Sequence, residues 1–550
     1  MPNSYLSGEL FFKMLKGGAA NLSKNAQTVN DLNVFPIPDG DTGDNMLMTI
    51  EAGARALEGV RELPLYEAAG AASGGMLLGA RGNSGVILSR IFAGLSKGLE
   101  YAEKADVQLL SSAFNRAVEE AYGAVSTPVE GTILTVLRDG VAYADTQLDG
   151  NSTVDSYIYC LLKEFKLSLD RTPDLLDVLK EAGVVDSGGA GLIYIFEGMK
   201  DVLEGGTAGH EFRDTSAGRR VNLDAFTEDS VLEFGYCTEF LLRLQNSKTD
   251  LASFDLNKLI NYLNSAGDSV VAFREGSIVK VHVHTKKPGD IFNHCQQYGE
   301  FLTTKMENMT LQHNEIHKPS EFVPKVTKPH KRYAVVSVAA GGGIKETFLS
   351  LGCDCVVDGG QSMNPSAEDF LEAFKSLNAD VIFVFPNNSN IILTANQAAQ
   401  LYGEADVRVI NSKTIGEGYA AISMMDTSSN DTAAIISSLE EIISGVVTGS
   451  VSKAIRGTEL DGIKIVKDDF IGFAGNKIYT DSPSRNTAAL ELVSALGVNN
   501  YDILLVVCGQ DAPKEETEVL YKQLKADYRR LEIVMIDGGQ PVYDYILILE

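Results

Sequence analysis

Two aspartates two residues apart, Asp39 and Asp41, stand in the stretch Asn33-Val34-Phe35-Pro36-Ile37-Pro38-Asp39-Gly40-Asp41-Thr42-Gly43-Asp44-Asn45-Met46. Pro36 and Pro38 keep the approach extended and disfavour helix in the residue before each. Gly40 and Gly43 permit tight turning and close approach of other atoms. At an extended i, i+2 spacing the two carboxylates point to one side. Convergent carboxylates with small neighbours suit a hard divalent cation such as Mg²⁺. Taken alone, Asp-Gly-Asp is more often a surface turn. An EF-hand calcium loop is excluded, because counting from Asp39 the fifth, sixth and twelfth residues are Gly43, Asp44 and Ile50, where that loop needs an oxygen ligand, a glycine and a glutamate.

A second glycine-rich stretch, Gly79-Ala80-Arg81-Gly82-Asn83-Ser84-Gly85-Val86-Ile87-Leu88, ends where an apolar helical pattern begins at Val86, Ile87, Ile91 and Leu95. Asn83 or Ser84 is the expected N-cap. A glycine-rich turn that opens a helix offers backbone N–H groups and the positive end of the helix dipole to phosphate. No Gly-Lys-Ser/Thr follows, so this is not a Walker A loop, nor is it a Rossmann fingerprint. Each loop is a weak signal by itself. Together they point to a metal–nucleotide site.

Around these loops, residues 1 to about 203 read as almost entirely helical, with apolar faces such as Leu109, Phe114, Val118 and Ala121, or Tyr157, Leu161, Leu162 and Phe165. Two further glycine-rich turns carry Thr132, in Glu130-Gly131-Thr132, and Asp186, in Asp186-Ser187-Gly188-Gly189; each alone reads most simply as a helix cap. The region contains no histidine, the first in the chain being His210, so no imidazole base comes from it. A hydroxyl acceptor of phosphate usually needs a base. A carboxylate, with a pKa of about 4 to 4.5, is already ionised and needs none.

Together, "LNVFPIPDGDTGDNM", "GARGNSGVILSRIF", "EGTILTVLRDG" and "VDSGGAGL" closely resemble the nucleotide-binding domain of the dihydroxyacetone-kinase L-subunit family. The version fused to a long C-terminal half resembles the catalytic subunit of bacterial fatty acid kinase. The resemblance runs over nearly the whole chain. It implies an antiparallel barrel of about eight helices with the glycine-rich loops at one end. It implies that ATP is the cofactor, with Mg²⁺ held by Asp39 and Asp41, and it places Thr42, Gly43, Asn45, Gly82, Asn83, Ser84, Gly85, Thr132, Asp186 and Gly188 near the nucleotide. Where the family has a further Asp at the start of the first stretch, this chain has Asn33, with one extra residue before Asp39. Asn33 supplies a neutral oxygen in place of a carboxylate, and it is counted with Asp39 and Asp41 as a catalytic candidate.

With 550 residues the chain is too long for one core. Apolar content of 44% and charged content of 22% are ordinary for a globular protein. A net charge of −27 argues against nucleic acid or an anionic membrane surface as a main partner. No basic start with an apolar run predicts a signal peptide, and no apolar stretch approaches the roughly 18 residues of a membrane span. Six scattered cysteines fit a reducing cytoplasm.

The expected organisation is a kinase domain over residues 8–203, a linker over 204–230, a middle α+β domain over 231–318, a Pro-rich linker over 319–331 and an α/β domain over 332–550. In the middle domain the strictly alternating Lys280-Val281-His282-Val283-His284-Thr285 puts His282 and His284 on one strand face. Such a pair is often only a solvent-facing polar row. With Cys237 opening the preceding strand, two imidazoles and a thiolate suit Zn²⁺, though the spacing matches no standard zinc signature. The fatty-acid-kinase resemblance, through "GYCTEF" and "VHVHT", implies that Cys237, His282 and His284 ligate zinc.

Beyond residue 332 strands alternate with helices, which predicts parallel α/β pairing in two lobes. Gly341-Gly342-Gly343 follows a strand and opens a helix, so it reads either as an anion nest or as a tight turn. "DGGQSMNPSAEDF", "VFPNNSNI" and "DGGQPVYDYIL" resemble the C-terminal region of fatty-acid-kinase catalytic subunits, similar in fold to DegV-type fatty-acid-binding proteins. The implied partner is a separate DegV-type protein carrying the fatty acid; a homodimer is a further expectation.

Three functions follow. The first is an ATP-dependent kinase making acyl-phosphate from a carried fatty acid. The second is a dihydroxyacetone-type small-polyol kinase, which holds its substrate on a histidine of another domain; here the last histidine is His330, so the C-terminal α/β region has none. The third is a non-catalytic nucleotide-sensing module. All phosphate-handling signals precede residue 203, so a fragment of residues 1–203 is expected to bind ATP with Mg²⁺ but not to phosphorylate fatty acid efficiently.

Overall fold

The computed structural model describes residues 3–33, 40–58, 63–125, 127–206, 236–249, 254–275, 277–308, 330–360 and 363–550. It divides into two compact units: residues 1–212 together with 327–550, and residues 213–326.

The first unit begins with helices α1 (Gly8–Asn30), α2 (Thr42–Arg55), α3 (Leu65–Gly79), α4 (Gly82–Gly98), α5 (Val107–Gly123), α6 (Ile133–Thr146), α7 (Val154–Leu175), α8 (Asp177–Ala182) and α9 (Ser187–Leu203). Leu6–Ser7 and Lys104–Ala105 form a short antiparallel pair, β1–β2, that ties the chain start to the loop before α5. The helices bury one continuous core, in which Leu15, Leu22, Ile50, Phe165 and Leu192 are fully enclosed. Helix starts are set by side chains: Ser7 caps α1, Asp106 caps α5 and Thr153 forms a capping box with Ser156 on α7.

The C-terminal part of this unit has two sheets. In the first, β7 (Lys331–Ala339), β8 (Cys355–Asp358), β9 (Ala379–Phe385) and β10 (Asp406–Val409) are all parallel, in the order β10-β9-β7-β8. The second departs from the parallel expectation. Its order is β15-β14-β11-β18-β16-β17, with β11 (Val447–Lys453), β14 (Phe470–Ala474), β15 (Lys477–Ser482), β16 (Ile503–Cys508), β17 (Glu532–Asp537) and β18 (Tyr543–Leu549), and only β16–β17 is a parallel pair. A tight hairpin accounts for one of the antiparallel pairs: Gly475 at φ +56 turns β14 into β15. In a separate two-stranded sheet, Asp461 and Gly462 at φ +53 and +75 turn β12 (Thr458–Leu460) into β13 (Ile463–Ile465). Two positive φ values in a row are the signature of a two-residue hairpin turn.

In the second unit, β3 (Tyr236–Leu244), β4 (Asp268–Glu275), β5 (Ile278–Thr285) and β6 (Gly299–Asn308) form an antiparallel sheet in the order β4-β5-β3-β6. Helices α10 (Leu256–Ala266) and α11 (Pro288–Gln296) cover it, burying Leu259, Leu263, Ile291 and Cys295 against Phe240 and Val281. The mixture of strands and helices agrees with the α+β expectation for this region.

Among the described residues no helix is long and apolar enough to cross a membrane. The described cysteines, Cys160, Cys295, Cys353, Cys355 and Cys508, are free.

Candidate functional site

The starts of four helices of the first unit are linked by contacts. Asp41 is the N-cap of α2, with no capping hydrogen bond from its side chain. The Thr42 hydroxyl, in the first turn, donates to Asn33 Oδ1 at 3.2 Å, and Ser187 Oγ, opening α9, lies 3.4 Å from the same oxygen and 3.2 Å from Thr42 Oγ1. Gly43 N–H donates to Asn30 Oδ1 at 2.7 Å, and Asn30 Nδ2 donates to Asp44 Oδ2 at 2.8 Å. Asn30 thus pins the end of α1 to the start of α2. A Cβ on Gly43 would lie 2.2 Å from the Ala26 carbonyl oxygen, so only glycine lets α2 approach α1 this closely.

Helix α4 joins through Gly82, whose φ of +57 is a glycine conformation; a Cβ there would meet Asn45 Nδ2 at 2.6 Å. The N-cap of α4 is Arg81, without a side-chain capping bond. This corrects the expected cap: Asn83 and Ser84 lie inside the first turn. The first N–H groups of α4 have no acceptor within their own helix, which leaves them suited to an anion. Gly85 serves packing, since a Cβ on it would strike Thr49 Oγ1 at 2.4 Å.

Helices α6 and α9 close the ring. Thr132 is the N-cap of α6, but its hydroxyl turns back to the Val129 carbonyl at 2.8 Å. Asp186 caps α9, accepting from Gly189 N–H at 2.7 Å, and its own N–H donates to Thr172 Oγ1 at 3.1 Å. A Cβ on Gly188 would meet Ile133 Cβ at 3.2 Å, which marks how closely α9 sits on α6. Gly188 thus lets the starts of α6 and α9 approach, while Asp186 caps α9 and ties it to α7.

Electrostatics favour a cation here. Burial pushes the Asp41 carboxyl up to about 6; the nearby Asp44 charge adds to the rise, and hydrogen bonds from Asn45 and Asn364 oppose it. Asp186 is also pushed up to about 6 by burial, against the N–H groups of Gly189 and Ile133. Asp41, Asp44 and Asn33 offer hard oxygen donors, the set that Mg²⁺ takes. Asp39, the expected partner of Asp41, lies outside the described residues. Among the described residues no group of three or more His, Cys, Asp or Glu is arranged to hold a metal ion.

One contributor had no local signal in the sequence. Asn364, from the loop between β8 and helix α13 (Ala367–Lys375), donates from Nδ2 to Asp41 Oδ2 at 2.6 Å and is 1% exposed. Its loop packs on the start of α4: Arg81 Nη1 donates to the Asn364 carbonyl at 2.7 Å, and Ala367 N–H donates to the Ala80 carbonyl at 3.3 Å. Asn83 Nδ2 reaches Asn390 Oδ1 at 3.3 Å, so Asn83 faces the C-terminal lobe as well as the α4 turn. Arg456, from the loop before β12, donates to the carbonyls of Asp31 and Asn33.

At the Gly341-Gly342-Gly343 turn helix α12 (Gly342–Ser350) starts, and the N–H groups of Gly343 and Ile344 both donate to the Gly538 carbonyl, at 3.1 and 3.3 Å. In the turn, these two donors join the two sheets and are not free for an anion. Beside it, a cleft of about 580 Å³ lies at the carboxyl ends of β7 and β9, lined among others by Ala340, Asn387, Asn388, Lys413, Phe473 and Gln540. By contrast, the apolar cavity inside the helical core, lined by Phe11, Phe92 and Phe114, has about 30 Å³.

In the second unit the β3–β5 ladder sets Cys237 directly opposite His284, with His282 two positions along and opposite Glu239. The side chains of Cys237, His282 and His284 lie outside the described residues.

A helical domain whose helix starts are linked, followed by an α/β lobe, defines a multidomain protein. Family models match in three consecutive segments: a DAK2 domain over residues 36–201, a FakA-like fatty acid kinase middle domain over 233–316, and a FakA-like fatty acid kinase C-terminal domain over 334–550. Protein YloV of Bacillus subtilis (strain 168) is 40% identical over 558 residues, covering 99% of each chain. The chain belongs to the FakA-like fatty acid kinase family. Among solved structures, a DegV-family protein of Thermus thermophilus described as fatty-acid binding aligns over 40% of this chain and 99% of its own, at 15% identity and a TM-score of 0.30. The dihydroxyacetone kinase of C. freundii in complex with AMP-PNP and Mg²⁺ aligns over 37% and 35%, at 21% identity and a TM-score of 0.27. Scores this low decide nothing about fold or activity.

Proposed function

We propose that this protein transfers the γ-phosphoryl group of ATP to the carboxylate of a fatty acid presented by a separate DegV-type binding protein, giving acyl-phosphate and ADP. The observation that carries the reading is the set of linked helix starts with Asp41 at its centre, in a chain of the FakA-like fatty acid kinase family. Bound Mg²⁺, held by Asp41 with Asp39 and assisted by Asn33, would neutralise phosphate charge. The chain's own work is positioning. The first turn of α4, with the N–H groups of Gly82 to Ser84 ahead of the first intrahelical bond at Gly85, offers donors and its dipole to phosphate, while Thr42 and Ser187 hold Asn33 in place.

A carboxylate oxygen attacks phosphorus as the bond to the ADP oxygen breaks, and no proton has to be removed. This agrees with a helical domain that has no histidine. The apolar cavity among the helices has about 30 Å³ against about 580 Å³ for the cleft of the α/β lobe, which favours an acyl chain held outside the helices. Delivery on a partner docked elsewhere on the chain fits this.

Zinc belongs to the same reading. Directly opposed residues on antiparallel strands have Cα atoms roughly 4.5–5.5 Å apart, so the Cys237–His284 register, with His282 next on the strand, supports a Cys-His-His site. About one zinc per chain, lost in the Cys237/His282/His284 triple alanine variant, is the expected metal analysis; unchanged zinc in that variant moves the site elsewhere.

The function is tested by ATP turnover with fatty acid, with and without a DegV-type carrier, against turnover with dihydroxyacetone. Turnover that needs both fatty acid and carrier is expected. Turnover with dihydroxyacetone alone replaces this reading with a polyol kinase, and nucleotide binding without turnover on any acceptor replaces it with a sensing module.

A further inference from the structure

The C-terminal lobe reaches the Asp41 carboxylate through the side chain of Asn364. Asn364 is 1% exposed, and its Nδ2 donates to Asp41 Oδ2 at 2.6 Å. Its Oδ1 is buried with no hydrogen-bond partner among the described residues. A buried amide oxygen without a partner is costly, and here it belongs to a residue already in contact with a carboxylate assigned to metal.

The loop holding Asn364 is built to keep it there. Gly360 and Met363 pair with each other through their N–H and carbonyl groups. Pro365 follows Asn364 and restricts its backbone to extended conformations. Ser366 and Asp369 form a reciprocal capping box that fixes the start of α13. Arg81 then clamps the loop from the helical side: it donates to the Asn364 carbonyl at 2.7 Å, lies 3.6 Å from Asp369, and its backbone bridges to Ser366. The same Arg81 is the N-cap of α4, whose first turn is the proposed phosphate cradle. A Cβ on Gly82 would lie 3.0 Å from Asn364 Nδ2, so this amide sits in van der Waals reach of the turn as well.

We propose that Asn364 is a positioning residue of the metal–nucleotide site: it fixes the orientation of the Asp41 carboxylate and couples the docked C-terminal lobe to Mg²⁺ affinity. The Oδ2 oxygen of Asp41 is committed to the Asn364 amide, which restricts how the carboxylate can turn. The C-terminal lobe then does more than recruit a partner, because any displacement of the 359–366 loop frees the Asp41 side chain. This inference rests on the assignment of Asp41 to Mg²⁺.

The test is titration of a non-hydrolysable ATP analogue into full-length protein at stepped Mg²⁺ concentrations, followed calorimetrically. Removing a hydrogen-bond partner of a metal ligand weakens metal affinity by roughly 10- to 100-fold. Asn364→Ala is therefore expected to raise the Mg²⁺ concentration for half-maximal nucleotide binding at least tenfold, with binding at saturating Mg²⁺ nearly unchanged. Asn364→Asp keeps the shape of the side chain, so it folds where the alanine variant does not; it replaces the donor by a second carboxylate, which draws the cation in and shifts the half-point the opposite way. Arg90→Ala removes an exposed contact between the same two lobes, Arg90 to Gln400 at 3.0 Å, without touching Asp41, and is expected to leave the half-point in place. An unchanged half-point in Asn364→Asp, or an equal shift in Arg90→Ala and Asn364→Ala, overturns the proposal. Loss of Mg²⁺ dependence in Asp41→Ala, beside such a result, keeps the underlying site assignment. Unchanged Mg²⁺ dependence in Asp41→Ala removes that assignment itself.

Discussion

The helical domain and the C-terminal α/β lobe use space in opposite ways. In the helical domain, helix starts press together until only glycine fits at Gly43 and Gly82, and the apolar cavity has about 30 Å³. In the α/β lobe, two sheets leave a cleft of about 580 Å³ in which Asn388 Nδ2 and Gln540 Oε1 are buried with no hydrogen-bond partner among the described residues. A cramped ring of helix starts can fix phosphate and a small cation, because N–H groups and hard oxygens need no volume. Its apolar cavity is far smaller than the cleft of the α/β lobe. The division of labour proposed here follows from that difference: charge is handled among the helices, and the organic substrate comes from outside them.

The largest expected effect breaks the charged half. Asp41→Ala should weaken Mg²⁺-supported nucleotide binding by more than about 100-fold, beyond the range for residues that only support a metal ligand. Its thermal midpoint should not fall, since the variant removes a buried carboxylate. Calorimetric titration and a melting curve check both halves.

The next effect tests the cramped packing. A Cβ at Gly43 would sit 2.2 Å from the Ala26 carbonyl oxygen. Gly43→Ala should cost about 3 kcal/mol by overpacking and lower Tm by roughly 5–10 °C, whereas Gly342→Ala, where a Cβ meets nothing within 4 Å, should change it little. Differential scanning calorimetry distinguishes the two.

A pH series sharpens the comparison further. Asp41 and Asp186 have carboxyls raised to about 6, so the folded protein holds these protons more tightly than the unfolded chain does. Their contribution to stability therefore grows as pH falls through about 6 towards 4, and is absent above about 6. Mg²⁺ binding needs the ionised Asp41 and should weaken over the same window. Metal-free protein should melt higher at pH 5 than at pH 7 relative to the Asp41→Asn/Asp186→Asn double variant. An identical pH dependence in the two proteins contradicts the assignment.

The smallest effect lies at the rim between the lobes. Arg90→Ala, losing an exposed contact to Gln400, should change stability by less than about 0.5 kcal/mol.

Much of the helical site was legible because its signals are local. Proline, glycine and aspartate in residues 33–46 announce an extended approach and a turn, and glycine before an apolar repeat announces the start of α4. Its cap was misread because Gly82, with φ +57, lets the helix begin at Arg81 rather than at the polar Asn83 or Ser84. The mixed second sheet was missed, since alternating strand and helix patterns look the same for parallel and antiparallel returns. Gly341-Gly342-Gly343 read equally as nest or turn, and only the position of the Gly538 carbonyl decides. Asn364 had no readable signal: Ser366 and Asp369 mark a helix start, but the contact with Asp41 joins residues 323 positions apart.

The central claim is that the acceptor is a carboxylate. Purified protein, Mg²⁺-ATP and a fatty-acid-loaded DegV-type carrier are combined with hydroxylamine, which converts an acyl-phosphate to a hydroxamate. The account predicts acyl hydroxamate in step with ADP, dependent on carrier and lost in Asp41→Ala. ADP formation without hydroxamate, or with phosphate recovered on a hydroxyl acceptor, would contradict it.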